Sequence, residues 1–311
     1  TSFHAPQKRM TAQMKAPKSK KEIIRKILLI ISIVGIVCSS GYLVYDLVWM
    51  PHVIEKKNEE FKVDESDKNT NPSNSGSKAE APPIQEKYAE LKNKYADFAG
   101  KLIVKGLNMD FPVAQYTDNS YYLKYTFDKV EDKHGALFVD YRDDLINLSH
   151  NTIIYGHNMR DGTQFGMLSM YKKLSTYKSC PVITFNTIYK DYKWKVFAAF
   201  LINTKPEDDN GYVFNYTRTE FANDEEFNEF YKEALERSYF TTDIDVTPQD
   251  KILTLSTCSL LIDDSRFVVM ARLVRDGESE SVDTNGAKTN PKQRFPQAWY
   301  DEKKQTNPYV D

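Results

Sequence analysis

A cysteine closes one apolar, β-branched run and an arginine opens the next. Residues 251–274 read KILTLSTCSLLIDDSRFVVMARLV, with Cys258 ending the first run and Arg266 starting the second. Runs this short and this rich in Ile, Val, Leu and Thr predict neighbouring buried strands. That arrangement puts a thiol and a guanidinium near each other on one rim of a sheet. The thiolate is the reactive form of cysteine, and a nearby cation favours it. The plainer role for such a cysteine is packing, since free Cys is among the most buried residue types. Upstream, NTIIYGHNMRDGTQFGML carries His157 directly after another apolar run. Histidine can serve as acid or base near neutrality, although a lone histidine in a loop is ordinarily just solvated. Arginine stays charged and offers several donors, so Arg266 can stabilise an oxyanion. Its plainer role is a solvated strand end or an ion pair with Asp263 or Asp264. The three residues together describe acyl transfer through a thioester.

The rest of the composition removes competing chemistries. A formal net charge of −2 over 311 residues gives no reason to expect nucleic acid as a partner. Three cysteines, Cys38, Cys180 and Cys258, make neither a disulfide framework nor a Cys-rich zinc site. Cys180 reads as a core residue. The Asp263–Asp264 pair lacks the wider ligand pattern of a metal site. No phosphate-binding glycine loop, H-E-x-x-H or G-x-S-x-G motif occurs. His4, His52, His134 and His150 lack a setting like that of His157.

These residues need elements to position them. Residues 1–26 are polar and basic, and a cytoplasmic tail is expected there. Residues 27–45, ILLIISIVGIVCSSGYLVY, hold no charge and predict a membrane-spanning helix within an anchor over 27–50. Aromatics at Tyr42, Tyr45 and Trp49 suit its far interface, and the basic residues before it place the N-terminus in the cytoplasm. A retained anchor fits better than a cleaved signal peptide, because the stretch is long and no A-x-A site follows. Residues 55–83 are charged and rich in Ser, Asn and Pro, which predicts a flexible stalk over 51–83 with a short helical extension at 55–61. A catalytic domain is expected over 84–275. It would open on a helix with apolar residues at Ile84, Tyr88, Leu91, Tyr95 and Phe98. Strands are expected at 102–104, 111–113, 135–140, 151–155, 182–186 and 190–203, with a single helical turn within TDNSYYLKYTF. A helix from Glu220, capped by Asn223 or Asp224, precedes the cysteine strand. Residues 276–311 read as a polar tail with a weak aromatic cluster at Phe295, Trp299 and Tyr300, and no second span follows Val274. The outcome is a mainly β domain with added helices, barrel or sandwich.

With these motifs in hand, the chain resembles the sortases, cysteine transpeptidases of Gram-positive cell surfaces, and within them class B. TLSTC at 254–258, RFVVMARLV at 266–274, the His157 segment at 151–168 and the helical insert at 215–238 carry the likeness, which spans roughly 84–275. The resemblance implies an eight-stranded β-barrel with an N-terminal helix and a helical insert before the cysteine strand. It implies Cys258 as nucleophile, His157 as general acid and base, and Arg266 as oxyanion and substrate clamp. It also implies that Ser256 and Thr257 border the site, and that Asn119, Leu123, Tyr216 and Thr217 line a groove for the sorting signal. No metal or organic cofactor is called for. The implied partners are surface proteins with a C-terminal sorting signal, a peptidoglycan-precursor amine of the lipid II type, and the membrane. The short loop 259–265 is expected to alter how the arginine approaches substrate. Alternatives are a pilin-polymerising class B-like sortase, a cysteine endopeptidase without transfer, and a surface binding module that keeps the fold.

Overall fold

Short β-branched runs become strands because alternate side chains can then leave on opposite faces, each with its own packing partner. The computed structural model describes residues 20–63 and 82–310. Among them are β1 (Phe98–Val104), β2 (Met109–Gln115), β3 (Leu137–Val139), β4 (Asn151–Tyr155) and β5 (Val182–Thr187). They continue with β6 (Lys193–Ile202), β7 (Phe240–Thr241), β8 (Ile252–Cys258), β9 (Arg266–Leu273) and β10 (Lys288–Thr289). Eight of these close a barrel in the order β1-β2-β3-β4-β8-β9-β6-β5, and β7 pairs with β10 in a separate ribbon. The β2–β3 and β4–β8 pairs are parallel, and the rest of the barrel is antiparallel. The barrel implied by the resemblance is therefore correct, and the sandwich is excluded.

The helices before the cysteine strand are α1 (Lys20–Val44), α2 (Met50–Glu59), α3 (Glu86–Lys94), α4 (Leu174–Ser179) and α5 (Asp224–Arg237). β8 shows how the two faces of a barrel strand are used. Leu253 and Leu255 join Phe267, Val269 and Ala271 of β9 in the barrel's interior cluster. Ile252, Val268 and Met270 belong to a second cluster on the outer face. That face is covered by α5, which buries Phe227, Phe230 and Ala234. Each buried phenylalanine contributes about 1.5–3 kcal/mol. Asn223 caps the helix by accepting from the Glu226 N–H at 2.9 Å, worth about 1 kcal/mol.

Some elements differ from the sequence reading. α3 ends at Lys94, and Phe98 opens β1 opposite Ala114. Tyr88, Leu91, Tyr95 and Phe98 still share one buried cluster, so the helical spacing marked a common neighbour rather than a continuous helix. The tail after residue 275 is partly structured. β10 pairs with β7, α6 covers Gln297–Lys303, and Phe295 stacks on Trp299 at 3.9 Å and meets Tyr239 at 5.7 Å. A few aromatic anchors suffice to hold a segment whose average composition is polar.

The chain divides into two compact units, residues 1–50 and 51–311. In the first, α1 runs into a wide π-type turn at Tyr45–Trp49. The helix over Lys20–Glu59 is long and apolar enough to cross a membrane. In the second, the helical extension expected at the start of the stalk is present. α2 reaches Glu59, and Phe61 is buried against Tyr95 and Phe127 at 5.0 and 4.9 Å. Most of the basic tail (1–19) and the stalk's remainder (64–81) lie outside the described residues.

Candidate active site

The register of β8 on β9 sets Cys258 directly opposite Arg266. Opposed residues in an antiparallel pair share one face, with Cα atoms about 4.5–5.5 Å apart. Cys258 is exposed and Arg266 half-buried. The Arg266 Nη1 donates to the carbonyls of Asp264 and Ser265 at 3.2 and 3.1 Å. Asp264 adopts a left-handed backbone, φ 55°, which turns the loop back toward β9. Its carboxylate pairs with Lys205 instead of Arg266. Its carbonyl also accepts from the Thr204 hydroxyl at 2.5 Å. The short loop is thus fastened to the segment after β6.

His157 reaches the same rim because β4 lies parallel to β8, with Tyr155 beside Ser256. Gly156 makes the step between strand and histidine. A Cβ there would stand 2.2 Å from Leu137 Cδ2 and 2.9 Å from Phe165 Cδ2, so a side chain would not fit. The Thr257 hydroxyl donates to the Gly156 carbonyl at 2.7 Å. The His157 Nε2 lies 2.8 Å from the Leu123 carbonyl. A carbonyl only accepts, so Nε2 carries the hydrogen and Nδ1 is the basic atom of the neutral ring. The following loop is held too. Asn158 donates its amide to the Cys258 carbonyl at 2.9 Å, and the Phe165 N–H reaches the His157 carbonyl at 2.9 Å. Asp161 of this loop faces His134 Nε2 at 3.1 Å, while Asp132 faces its Nδ1 at 2.7 Å. His134, which has no distinctive setting in the sequence, is buried and braces the loop that carries His157.

All nine residues singled out in the sequence line one cleft of about 630 Å³: His157, Cys258, Arg266, Asn119, Leu123, Tyr216, Thr217, Ser256 and Thr257. The Tyr216 hydroxyl lies 2.9 Å from Ser256 Oγ, and burial pushes its pKa up. The strand that holds the cysteine therefore also fixes the cleft wall that Tyr216 forms. Asn151 secures that wall from beneath. Its amide donates to the carbonyls of Tyr216 and Arg218 at 3.2 and 2.8 Å, and its oxygen accepts from Thr254 at 2.6 Å. Tyr155 and Phe138 also face the cleft. The sequence reading missed Asn151, Asn158 and Tyr155. The signal for Asn151 was a polar residue opening an otherwise apolar run.

Known proteins share this fold. The Sortase domain family model matches residues 102–274. Sortase B of Staphylococcus aureus is 34% identical over 194 residues, covering 62% of this chain and 76% of that one. The solved S. aureus sortase B–substrate complex shares 34% identity at a TM-score of 0.56, over 62% of this chain and 86% of the other. A sortase B crystal structure complexed with triglycine matches at 34% identity and a TM-score of 0.55, over 61% and 86% of the two chains. The chain belongs to the sortase family, class B, and is a sortase-type cysteine transpeptidase.

Proposed function

We propose that this transpeptidase cleaves a C-terminal sorting signal of surface proteins and transfers the acyl group to a cell-wall precursor amine. The single observation that carries the reading is the facing pair Cys258 and Arg266 on one rim, beside His157, in a cleft open to an extended peptide. The Cys258 thiolate attacks the carbonyl of the scissile threonine. Arg266 stabilises the oxyanion that forms. The amide C–N bond breaks as His157 gives its proton to the departing amine, and a thioester remains on Cys258. The acceptor amine attacks the thioester, His157 takes its proton, and the C–S bond breaks to release the Cys258 thiolate with the new amide formed.

In this reading Asn119, Leu123, Tyr216 and Thr217 contact the sorting signal, and Ser256 and Thr257 border the nucleophile. The relative solved with triglycine supports a short glycine amine as acceptor chemistry. The apolar helix within Lys20–Glu59 anchors the chain, with the N-terminus cytoplasmic and the catalytic domain outside.

The test uses the full chain in detergent. Threonine-containing sorting-signal peptides are offered with and without triglycine, and products are read by mass spectrometry. Acceptor-dependent ligation, lost in Cys258→Ala, is the expected result. Hydrolysis unaffected by any amine would point to an endopeptidase. Ligation only to lysine side chains would point to pilin polymerisation.

A further inference from the structure

One buried carboxylate gathers two segments that line the cleft. Asp140 follows β3 and is fully buried. Its Oδ1 accepts from the Arg142 backbone N–H at 3.0 Å and from Arg142 Nε at 2.8 Å. Its Oδ2 accepts from Arg142 Nη2 at 2.7 Å, Asn119 Nδ2 at 2.9 Å and the Tyr155 hydroxyl at 3.0 Å. Five donors converge on one carboxylate, two of them from side chains that line the cleft. Burial alone would raise its pKa, but the bonds from Arg142, Tyr155 and Asn119 outweigh it and hold the carboxyl below its ordinary range.

The donors lead outward to two cleft-lining loops. Asn119 stands on the loop after β2, and its oxygen accepts from the Tyr141 N–H at 3.0 Å. Both ends of its amide are therefore fixed, and one amide hydrogen is left for another acceptor. Arg142 Nη2 also donates to the Thr217 carbonyl at 3.0 Å, on the loop between β6 and α5. Asn119 and Thr217 both line the cleft. Arg142 itself is absent from the lining, and its side chain is 42% exposed. A planar guanidinium can grip a carboxylate side-on while its outer nitrogen reaches a second acceptor, which an ammonium cannot match in geometry.

We propose that Asp140 and Arg142 are positioning residues for the sorting signal: Asp140 aims the Asn119 amide into the groove, and Arg142 straps the cleft-lining loop at Thr217. The inference rests on the transpeptidase reading and adds to it a determinant of peptide binding that touches neither the thiol nor the reacting carbonyl. Loss of the strap weakens peptide binding and leaves the reactivity of Cys258 alone.

The test measures peptide affinity in the full chain in detergent, in a Cys258→Ala background, so that binding is read without turnover. Arg142→Gln is expected to weaken binding of a sorting-signal peptide about tenfold, a loss on the scale of one charge-assisted contact. Arg142→Lys, which keeps the charge without the fork, is expected to weaken it as much. With Cys258 present, the alkylation rate of its thiol by iodoacetamide and the pH profile of that reaction stay within about twofold of the parent. KM rises while kcat changes little, as expected when uniform binding is removed. Unchanged affinity in Arg142→Gln would overturn the strap, and parental affinity in Arg142→Lys would overturn its fork geometry. A parallel fall in alkylation rate and melting temperature would also overturn it, by marking general damage. Peptide binding without ligation would refute the transfer reading and leave the strap standing. No binding by the parent chain would refute both.

Discussion

Two arginines stand on the same face of β9, one near each end, and they live in opposite surroundings. Arg272 is 1% exposed and bidentate to Glu278, at 2.6 and 2.7 Å. Its cross-strand neighbour Lys195 reaches the same carboxylate at 2.5 Å. Arg272, then Lys195, hold the Glu278 carboxyl far below its ordinary range. Arg266 is half-buried and donates to two backbone carbonyls, with no ion pair among the described residues. A buried cation left without a carboxylate would be very costly. A cation at an open rim carries no such penalty and keeps its charge available for an anion that forms during reaction. The contrast separates a guanidinium that closes the fold from one that serves chemistry.

Breaking each arginine separately sharpens the comparison. Arg272→Ala removes two charge-assisted bonds to Glu278 and empties a buried position, leaving Glu278 with Lys195, and is expected to lower stability by about 3–5 kcal/mol. Chemical denaturation reads this, while activity per folded molecule stays the same. Arg266→Ala is expected to do the reverse. It lowers kcat by about 10²–10³, the usual scale for a lost oxyanion donor, with a melting temperature close to the parent's.

Smaller effects follow from pH. The depressed Glu278 carboxyl contributes stability that is fully present above the ordinary carboxylate pKa of 4.5 and is lost as pH falls below it. Glu278→Gln should therefore cost about 2–3 kcal/mol near neutrality and flatten the acid limb of a stability profile. An unchanged limb would count against the Arg272 cluster as its source. The smallest expected effect has the opposite sign. Burial pushes Asp143 up to about 7 from its ordinary 3.8. Between those values the folded chain holds a proton that the unfolded chain has lost, so stability declines as pH rises from about 4 to 7. Asp143→Asn can still accept from the Ile153 N–H, the bond that Asp143 makes at 2.7 Å. It is expected to gain on the order of 1–2 kcal/mol over the parent at pH 8 relative to pH 5. Equal pH slopes for the two proteins would contradict this.

Much of the barrel was legible because its strands are short apolar runs with polar breaks. Residues 151–155 form a strand over the span expected, and Cys258 ends its strand as read. The cap at Asn223 was legible because its side chain is a strong acceptor just before an amphipathic run. What escaped notice was long-range and polar. Nothing local in GALFVDYRDD says that Asp140 turns inward to meet Asn119 and Tyr155, because those partners lie 21 and 15 residues away. His134 was passed over for the same reason. Asp132 is two residues away, but Asp161 comes from a separate segment 27 residues on. The C-terminal segment was read as a tail because a composition average hides three well-placed rings. Phe98 was assigned to a helix because helical spacing and a shared aromatic cluster look alike in one dimension.

The central claim is that the rim holding Cys258 opposite Arg266 builds a thioester. The most direct measurement is intact mass of the full chain in detergent, quenched in acid during reaction with a sorting-signal peptide, followed by mapping of the modified residue. The account predicts an acyl adduct on Cys258 that discharges when triglycine is added and accumulates far more slowly in Arg266→Ala. An adduct on Cys180, or peptide cleavage that persists in Cys258→Ala, would contradict it.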